Sequence, residues 1–363
     1  MAADKSSNLN SRQQKVMRAT VRHYVSTAEP VGSKALLEAF DLNVSAATIR
    51  NVMGALERSG FLYQPHTSAG RVPSDSGYRL YVDELIKPSK PTAQRIDRLL
   101  SQQLNWQGWS VEALLQEAAQ ILAHLSGHVA LVTLPRFEKM VVKHLQLVQI
   151  SADQVLVVLV LDSYGSESVV VKLPRGTTGI SASEDEGTLD RELQILSNFL
   201  TAQLCGRPLS EISRLNWDEV DTAEHHVMAL CEAIDDLAQR KRQPQTHILV
   251  TGVADVLSQP EFAEQSQLRN LVALLADGRE QLWPLMCSDD SSPALKIWIG
   301  AENPLEPMQG CALISAPYNR DSMPLGSVGV MGPTRMLYEN TIAAVEATSS
   351  YLSDIMSGLD VSQ

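Results

Sequence analysis

This 363-residue chain is poor in the features that mark disulfide scaffolds, membrane proteins and common hydrolases. Cysteine is scarce. Cys205, Cys231, Cys287 and Cys311 stand far apart with no C-x-x-C pair, which excludes a zinc ribbon or a thioredoxin-like motif and leaves free thiols in a reducing compartment as the expectation. Aromatic residues are only 5 % of the chain. No apolar run approaches the ~18–20 residues a membrane span needs, and the longest, Val155 to Leu161, is strand-sized. The opening MAADKSSNLNSRQQK holds no apolar stretch, so the expectation is no secretory signal and a cytoplasmic location. No G-x-S-x-G nucleophile motif is present.

Other chemistry-bearing residues take plain readings. His124 and His128 lie four apart, but Gly127 intervenes as a helix end, and His225-His226 fall on a polar helix face, so no metal site is expected. Gly326 to Pro333 lacks the G-K-[ST] ending of a phosphate loop and reads as a strand with a turn. Asp235-Asp236 and Asp289-Asp290 suit a helix surface and a loop. The expectation is a protein without a catalytic constellation or a cofactor.

What is present is an uneven charge distribution. The net charge is −12, from 30 Lys/Arg and 42 Asp/Glu. Residues 1–90 hold twelve of the basic and eight of the acidic residues, giving +4 and leaving −16 in the remainder. A basic head on an acidic body confines any phosphate contact to the head.

Within that head the periodicity predicts helices. Residues 10–28 place Met17, Val21, Tyr24, Val25 and Ala28 on one face, with Ser11 and Gln14 as the capping box. Pro30 and Gly32 stop this helix. Ser33 caps a short second one with Leu36, Leu37 and Phe40 together. Asp41 to Val44 form a turn, and Ser45 caps a third helix whose Ile49, Val52, Met53 and Leu56 face the core. Three short helices with a four-residue turn before the last is the helix-turn-helix pattern. The outer face then carries Ala47, Asn51, Gly54 and Arg58, flanked by Thr48, Arg50 and Ala55. Small residues allow close approach to base edges, Asn51 suits adenine, and Arg50 or Arg58 suits guanine or phosphate. Gly60 ends the helix. Phe61 to Gln64 read as a strand, Pro65 to Gly70 as a hairpin tip carrying His66 and Ser68, and Arg71-Val72 as the return strand. Arg71, beside the tip, is expected to reach a phosphate or a minor groove. Ser74 caps a last helix to Ile86, with Tyr78, Tyr81, Val82 and Leu85 inward.

S-A-A-T-I-R-N-V-M at 45–53, L-E-R-S-G-F-L at 56–62 and Q-P-H-T-S-A-G-R-V-P-S-D-S-G-Y-R-L-Y-V-D at 64–83 resemble the HrcA family of bacterial heat-inducible transcription repressors. The third string is the most specific, and N-S-R-Q-Q-K-V-M-R-A-T-V at 10–21 and E-P-V-G-S-K-A-L at 29–36 fit as well. The resemblance implies an α+β multidomain protein: an N-terminal winged helix-turn-helix, then a GAF-like α/β sensor-type domain interrupted by a helix-rich inserted domain that dimerises. It also implies an inverted-repeat operator upstream of chaperone operons, and activity maintained by a GroEL-type chaperonin.

The body is compatible with that layout. Helices are predicted at 93–104 and 111–126, strands at 144–150, 154–162 and 167–173 in a meander, and helices at 189–205, 222–242 and around 253–262. A strand is expected at 247–252, a helix at 267–276, strands at 295–300, 311–316 and 327–331, and a closing helix at 338–356. The nearly all-apolar 154–162 is expected to be a central strand buried on both faces. The expected limits are 1–87 for the DNA-binding domain, 88–91 for a linker, 92–180 and 266–363 for the two parts of the GAF-like domain, and 181–265 for the insertion.

The function expected from the sequence is negative regulation of chaperone-operon transcription by a homodimer on double-stranded DNA, without enzymatic activity. The DNA-binding residues expected are Ser45, Ala47, Thr48, Arg50, Asn51, Arg58, His66, Ser68 and Arg71. Two rivals belong to other classes: a winged-helix regulator gated by a small effector in the GAF-like domain, and an enzyme with a DNA-binding appendage.

Overall fold

A computed structural model of the chain describes residues 9–103, 110–135, 141–151, 154–161, 166–172, 186–207, 248–254, 265–287, 295–320 and 323–358. The expected helix at 222–242 lies outside these residues, as do Cys231 and most of 253–262. The fold is mixed α/β, and its sheets are antiparallel. The chain divides into two compact units, one of Met1–Asn105, Leu115–Leu134 and His247–Gln363, the other of Trp106–Leu114 and Pro135–Thr246.

The first unit opens with α1 (Ser11–Thr27), α2 (Ser33–Ala39) and α3 (Ala46–Arg58), followed by a hairpin of β1 (Leu62–Tyr63) and β2 (Val72–Pro73). Then comes α4 (Asp75–Leu80), which widens into a π turn at Tyr81–Leu85. The α1 cap is displaced by one residue from the expected one. Asn10 accepts from the Gln13 amide and the Gln13 side chain returns the bond, because Asn10 holds the extended backbone a cap requires. Gly32 precedes α2 without a side-chain cap, and Leu37 stays 45 % exposed, so only Leu36 of the expected α2 face is buried. On α3, Ile49, Met53 and Leu56 are buried as expected, each worth ~1.5–3 kcal/mol relative to exposure. Val52 is half-buried. Gly60 has φ +81°, the left-handed conformation that terminates a helix and favours glycine.

Helix α5 (Lys90–Gln103) starts inside the stretch expected to be a linker, because Ser89 accepts from the Thr92 amide and its own amide bonds to Glu339. It is followed by α6 (Val111–Ser126) and β3 (Val129–Thr133). Sequence periodicity did not give β3, because all five of its residues are buried and no alternation marks it. Its ladder is the missing piece of the main sheet.

The second unit contains β4 (Val142–Ser151), β5 (Gln154–Leu161) and β6 (Ser166–Lys172), paired in that order as the expected meander, with α7 (Glu186–Leu204). Helix α7 packs on β4, with Leu193, Leu196, Leu200 and Leu204 buried, and its Ser197 and Thr201 hydroxyls donate to the Leu145 carbonyl. Strand β5 is central, but only one of its faces is buried: Val155, Val157 and Leu159 are covered while Leu156 and Val158 are half-buried and Val160 is exposed. These strands pair among themselves, and residues 142–172 belong to the unit that includes Pro135–Thr246.

Back in the first unit come β7 (Ile248–Thr251), α8 (Gln265–Asp277), α9 (Trp283–Met286), β8 (Lys296–Ile299), β9 (Cys311–Arg320), β10 (Met323–Pro333) and α10 (Tyr338–Gly358). The sheet order is β7-β3-β10-β9-β8. One face packs Val129, Leu131, Leu313 and Met331 against Leu271, Leu274 and Leu275 of α8 and Trp283 and Met286 of α9. Helix α10 packs on β9 and β10, where Ser349 donates to the Pro317 carbonyl at 2.6 Å. Glycine-rich β10 contains the expected strand, but it runs from Met323 through Pro333 with a register shift between Pro324 and Gly326, so the expected turn falls after it. No helix among the described residues is long and apolar enough to cross a membrane.

Candidate nucleic-acid interface

Helix α3 begins at Ser45, whose Oγ accepts from the Thr48 amide at 3.2 Å. The Thr48 hydroxyl is 3.0 Å from the same oxygen, so Ser45 and Thr48 hold one another at the helix start. With Ile49, Met53 and Leu56 anchored inward, the 3.6-residue repeat turns Ala47, Arg50, Asn51 and Arg58 to solvent. Arg50 and Arg58 are exposed and form no ion pair among the described residues. Arg58 lies back along the helix over Gly54, with Nη1 3.7 Å from where a Cβ would sit.

The hairpin that follows is short, with Leu62 opposite Pro73 and Tyr63 opposite Val72. Its tip, 65–70, exposes His66 and Ser68 and closes on an Ala69 amide to His66 carbonyl bond of 2.9 Å. Gln64 braces the tip by donating from Nε2 to the carbonyls of Thr67 at 3.0 Å and Ala69 at 2.8 Å. Arg71 is not open to solvent like the others. Its Nε and Nη2 donate to one oxygen of Glu57 at 3.0 and 2.7 Å, and the two side chains are 21 % and 32 % exposed.

Two further cations lie beside the turn that leads into α3. A groove of about 480 Å³ between the start of α1 and the 42–44 turn is lined by Asn10, Ser11, Arg12, Lys15, Val16, Leu42 and Val44. It places Arg12 and Lys15, both exposed, near the chain segment that enters α3. Sequence periodicity assigned neither residue a role. Their position off the inward face of α1 was visible, but the proximity of that helix end to the turn was not.

Side chains of α1 and α4 join the head to the rest of its unit. Arg79 of α4 donates from Nε to Glu302 at 2.9 Å, from Nη2 to the other Glu302 oxygen, and from Nη2 to the Ile297 carbonyl at 2.6 Å. Arg22 of α1 and Tyr81 both donate to Glu339 of α10, at 3.0 and 2.7 Å. Asp75 accepts from the Ala301 amide at 2.9 Å. Burial and the bond to Glu339 raise the pKa of Tyr81, so it stays a neutral donor. The hydrogen bond to Glu302 raises that of Arg79. No group of His, Cys, Asp and Glu among the described residues is arranged to hold a metal ion.

A family model described as HrcA protein C terminal domain matches residues 112–342. The heat-inducible transcription repressor HrcA of Anabaena sp. (strain L31) is 51 % identical over 356 residues, covering 96 % of this chain and 99 % of its own length. The chain belongs to the HrcA family of heat-inducible transcription repressors. The HrcA of a Cyanothece species is 49 % identical, with coverage of 96 % and 98 %, and that of Synechococcus elongatus is 50 % identical with the same coverage. The HrcA family model lies wholly beyond the 45–83 motifs, so body and head support the family independently. Membership makes the chain a transcriptional repressor and not an enzyme. A crystal structure of a hypothetical protein shares the fold, at a TM-score of 0.64 and 23 % identity over 97 % of this chain and 99 % of that one.

Proposed function

We propose that residues 1–87 are a winged helix-turn-helix that binds an inverted-repeat operator upstream of chaperone genes. The observation that carries this reading is the exposed face of α3, where Asn51 shares the solvent side with Arg50 and Arg58, neither ion-paired among the described residues, on a helix capped by Ser45. In this reading Asn51 and Thr48 discriminate bases, Ala47 allows close approach, and Arg50 and Arg58 contact phosphate or guanine. Ser45 orients the helix start, and His66 and Ser68 at the hairpin tip touch the flanking backbone. The neighbouring Arg12 and Lys15 add to the same electrostatic footprint.

The remaining parts of the proposal follow family layout. A homodimer presents two heads to two half-sites spaced by whole turns of duplex. A GAF-like domain and an inserted dimerising domain hold them, and a GroEL-type chaperonin maintains the repressing form in the bacterial cytoplasm. The names of the relatives favour heat-inducible repression over gating by a small effector.

The test is a footprint and titration on chaperone-promoter DNA, with and without chaperonin. Asn51→Ala is expected to lose ~1–3 kcal/mol of discrimination at one operator position while keeping non-specific affinity. Equal operator preference in wild type and variant removes α3 as the reading element.

A further inference from the structure

We propose that Arg71 is a positioning residue: through Glu57 it sets the hairpin against α3, and it is not itself a phosphate contact. This inference rests on the DNA-binding reading of α3 and the hairpin.

Three segments meet at Arg71. Its amide donates to the Val31 carbonyl at 2.9 Å and its carbonyl accepts from the Val31 amide at 2.9 Å, a two-bond bridge onto the turn between α1 and α2. Val31 is buried, so this turn is fixed to the core. The preceding Gly70 lies so close to that turn that a Cβ would sit 2.5 Å from the Pro30 carbonyl oxygen and the Val31 backbone. Only glycine lets the two chains approach that far. The backbone of 70–71 is therefore pinned, and the Arg71 side chain runs from this pin to Glu57 in the last turn of α3.

Charge favours the same role. Two of the five guanidinium N–H donors, one on Nε and one on Nη2, fall on one carboxylate oxygen, and the pair is largely sheltered. A phosphate on the Nε–Nη2 edge would have to displace Glu57, and one on the remaining edge would meet a cation already neutralised by that carboxylate. Arg50 and Arg58 are exposed and have no carboxylate partner among the described residues. Counterion release thus falls to the α3 arginines, while Arg71 fixes the angle at which the hairpin tip, braced by Gln64, meets the flanking backbone.

The experiment measures operator affinity of the full chain across a salt series, together with hydroxyl-radical footprints, for wild type, Arg71→Ala, Arg71→Glu and the double variant Arg71→Glu with Glu57→Arg. Arg71→Ala is expected to weaken binding about tenfold with an unchanged salt slope, and to lose protection flanking the α3 contacts while retaining protection at them. A variant destabilised throughout would lose both together, which counts against a positioning role. The double variant restores the pair in reverse and is expected to recover binding to within about threefold of wild type. A slope that falls by about 0.9, the value for one lost phosphate contact, or a double variant as weak as Arg71→Glu, overturns the proposal. No wild-type footprint would defeat the DNA-binding reading itself, and this inference with it.

Discussion

The two sides of the N-terminal segment use the same residue type in opposite ways. On the α3 side, Arg50 and Arg58 stand in solvent without a carboxylate partner among the described residues. On the side of α1 and α4, Arg22 and Arg79 are matched to Glu339 and Glu302 of the body. The +4 of residues 1–90 is therefore not spread over a uniformly basic surface. Part of it neutralises acidic residues from distant positions in the chain, and Arg71 is neutralised locally by Glu57. Under the proposed reading of α3, the difference separates two tasks that charge counts merge: holding the head on the sheet, and meeting a polyanion.

The largest break in this comparison is expected from Gly300→Ala. Gly300 has φ +54°, and a Cβ there would lie 2.2 Å from the Asp75 carboxylate. Left-handed strain and the clash together should cost ~3 kcal/mol or more, read as a lower midpoint in urea. Intrinsic DNA contacts, measured as salt slope on the folded fraction, should not change.

Next comes Arg79→Ala, which leaves Glu302 without its cation while the Ile299 amide still donates to it. With the side chains 29 % and 34 % exposed, solvent screening holds the expected loss to about 1–2 kcal/mol. Arg50→Ala should do the converse. Stability should change by no more than ~0.5 kcal/mol, while affinity falls alike on all sequences and the salt slope drops by about 0.9. If Arg79→Ala moved the salt slope and Arg50→Ala moved the urea midpoint, the division between the two sides would collapse. The smallest effect belongs to Arg22→Ala. Its side chain is 52 % exposed, and Glu339 keeps the Tyr81 hydroxyl as a donor. A stability change below ~1 kcal/mol is expected by the same denaturation measurement.

Much of this was legible from local pattern. The inward Ile49, Met53 and Leu56 determine the exposed positions of α3 by helical period alone, and Ser45 fixes where the helix starts. The motif string at 64–83 pointed to the HrcA family without any coordinates. Where a signal was local but shared by neighbours, it slipped: Asn10 and Ser11 are both good caps, and only backbone geometry selects Asn10. Where burial removed periodicity, as in β3, the signal vanished.

The sequence by itself determined the three-helix order of the head, the residues on the outer face of α3, the hairpin and its tip, and the family. Each depends on residues within a few turns of one another, where spacing is geometry. Only the tertiary structure decided which arginines remain available. The partners of Arg22 and Arg79 lie 317 and 223 residues away, and that of Arg71 lies across the hairpin turn, 14 residues back. An ion pair is made by proximity in space, and one-dimensional spacing carries no record of it.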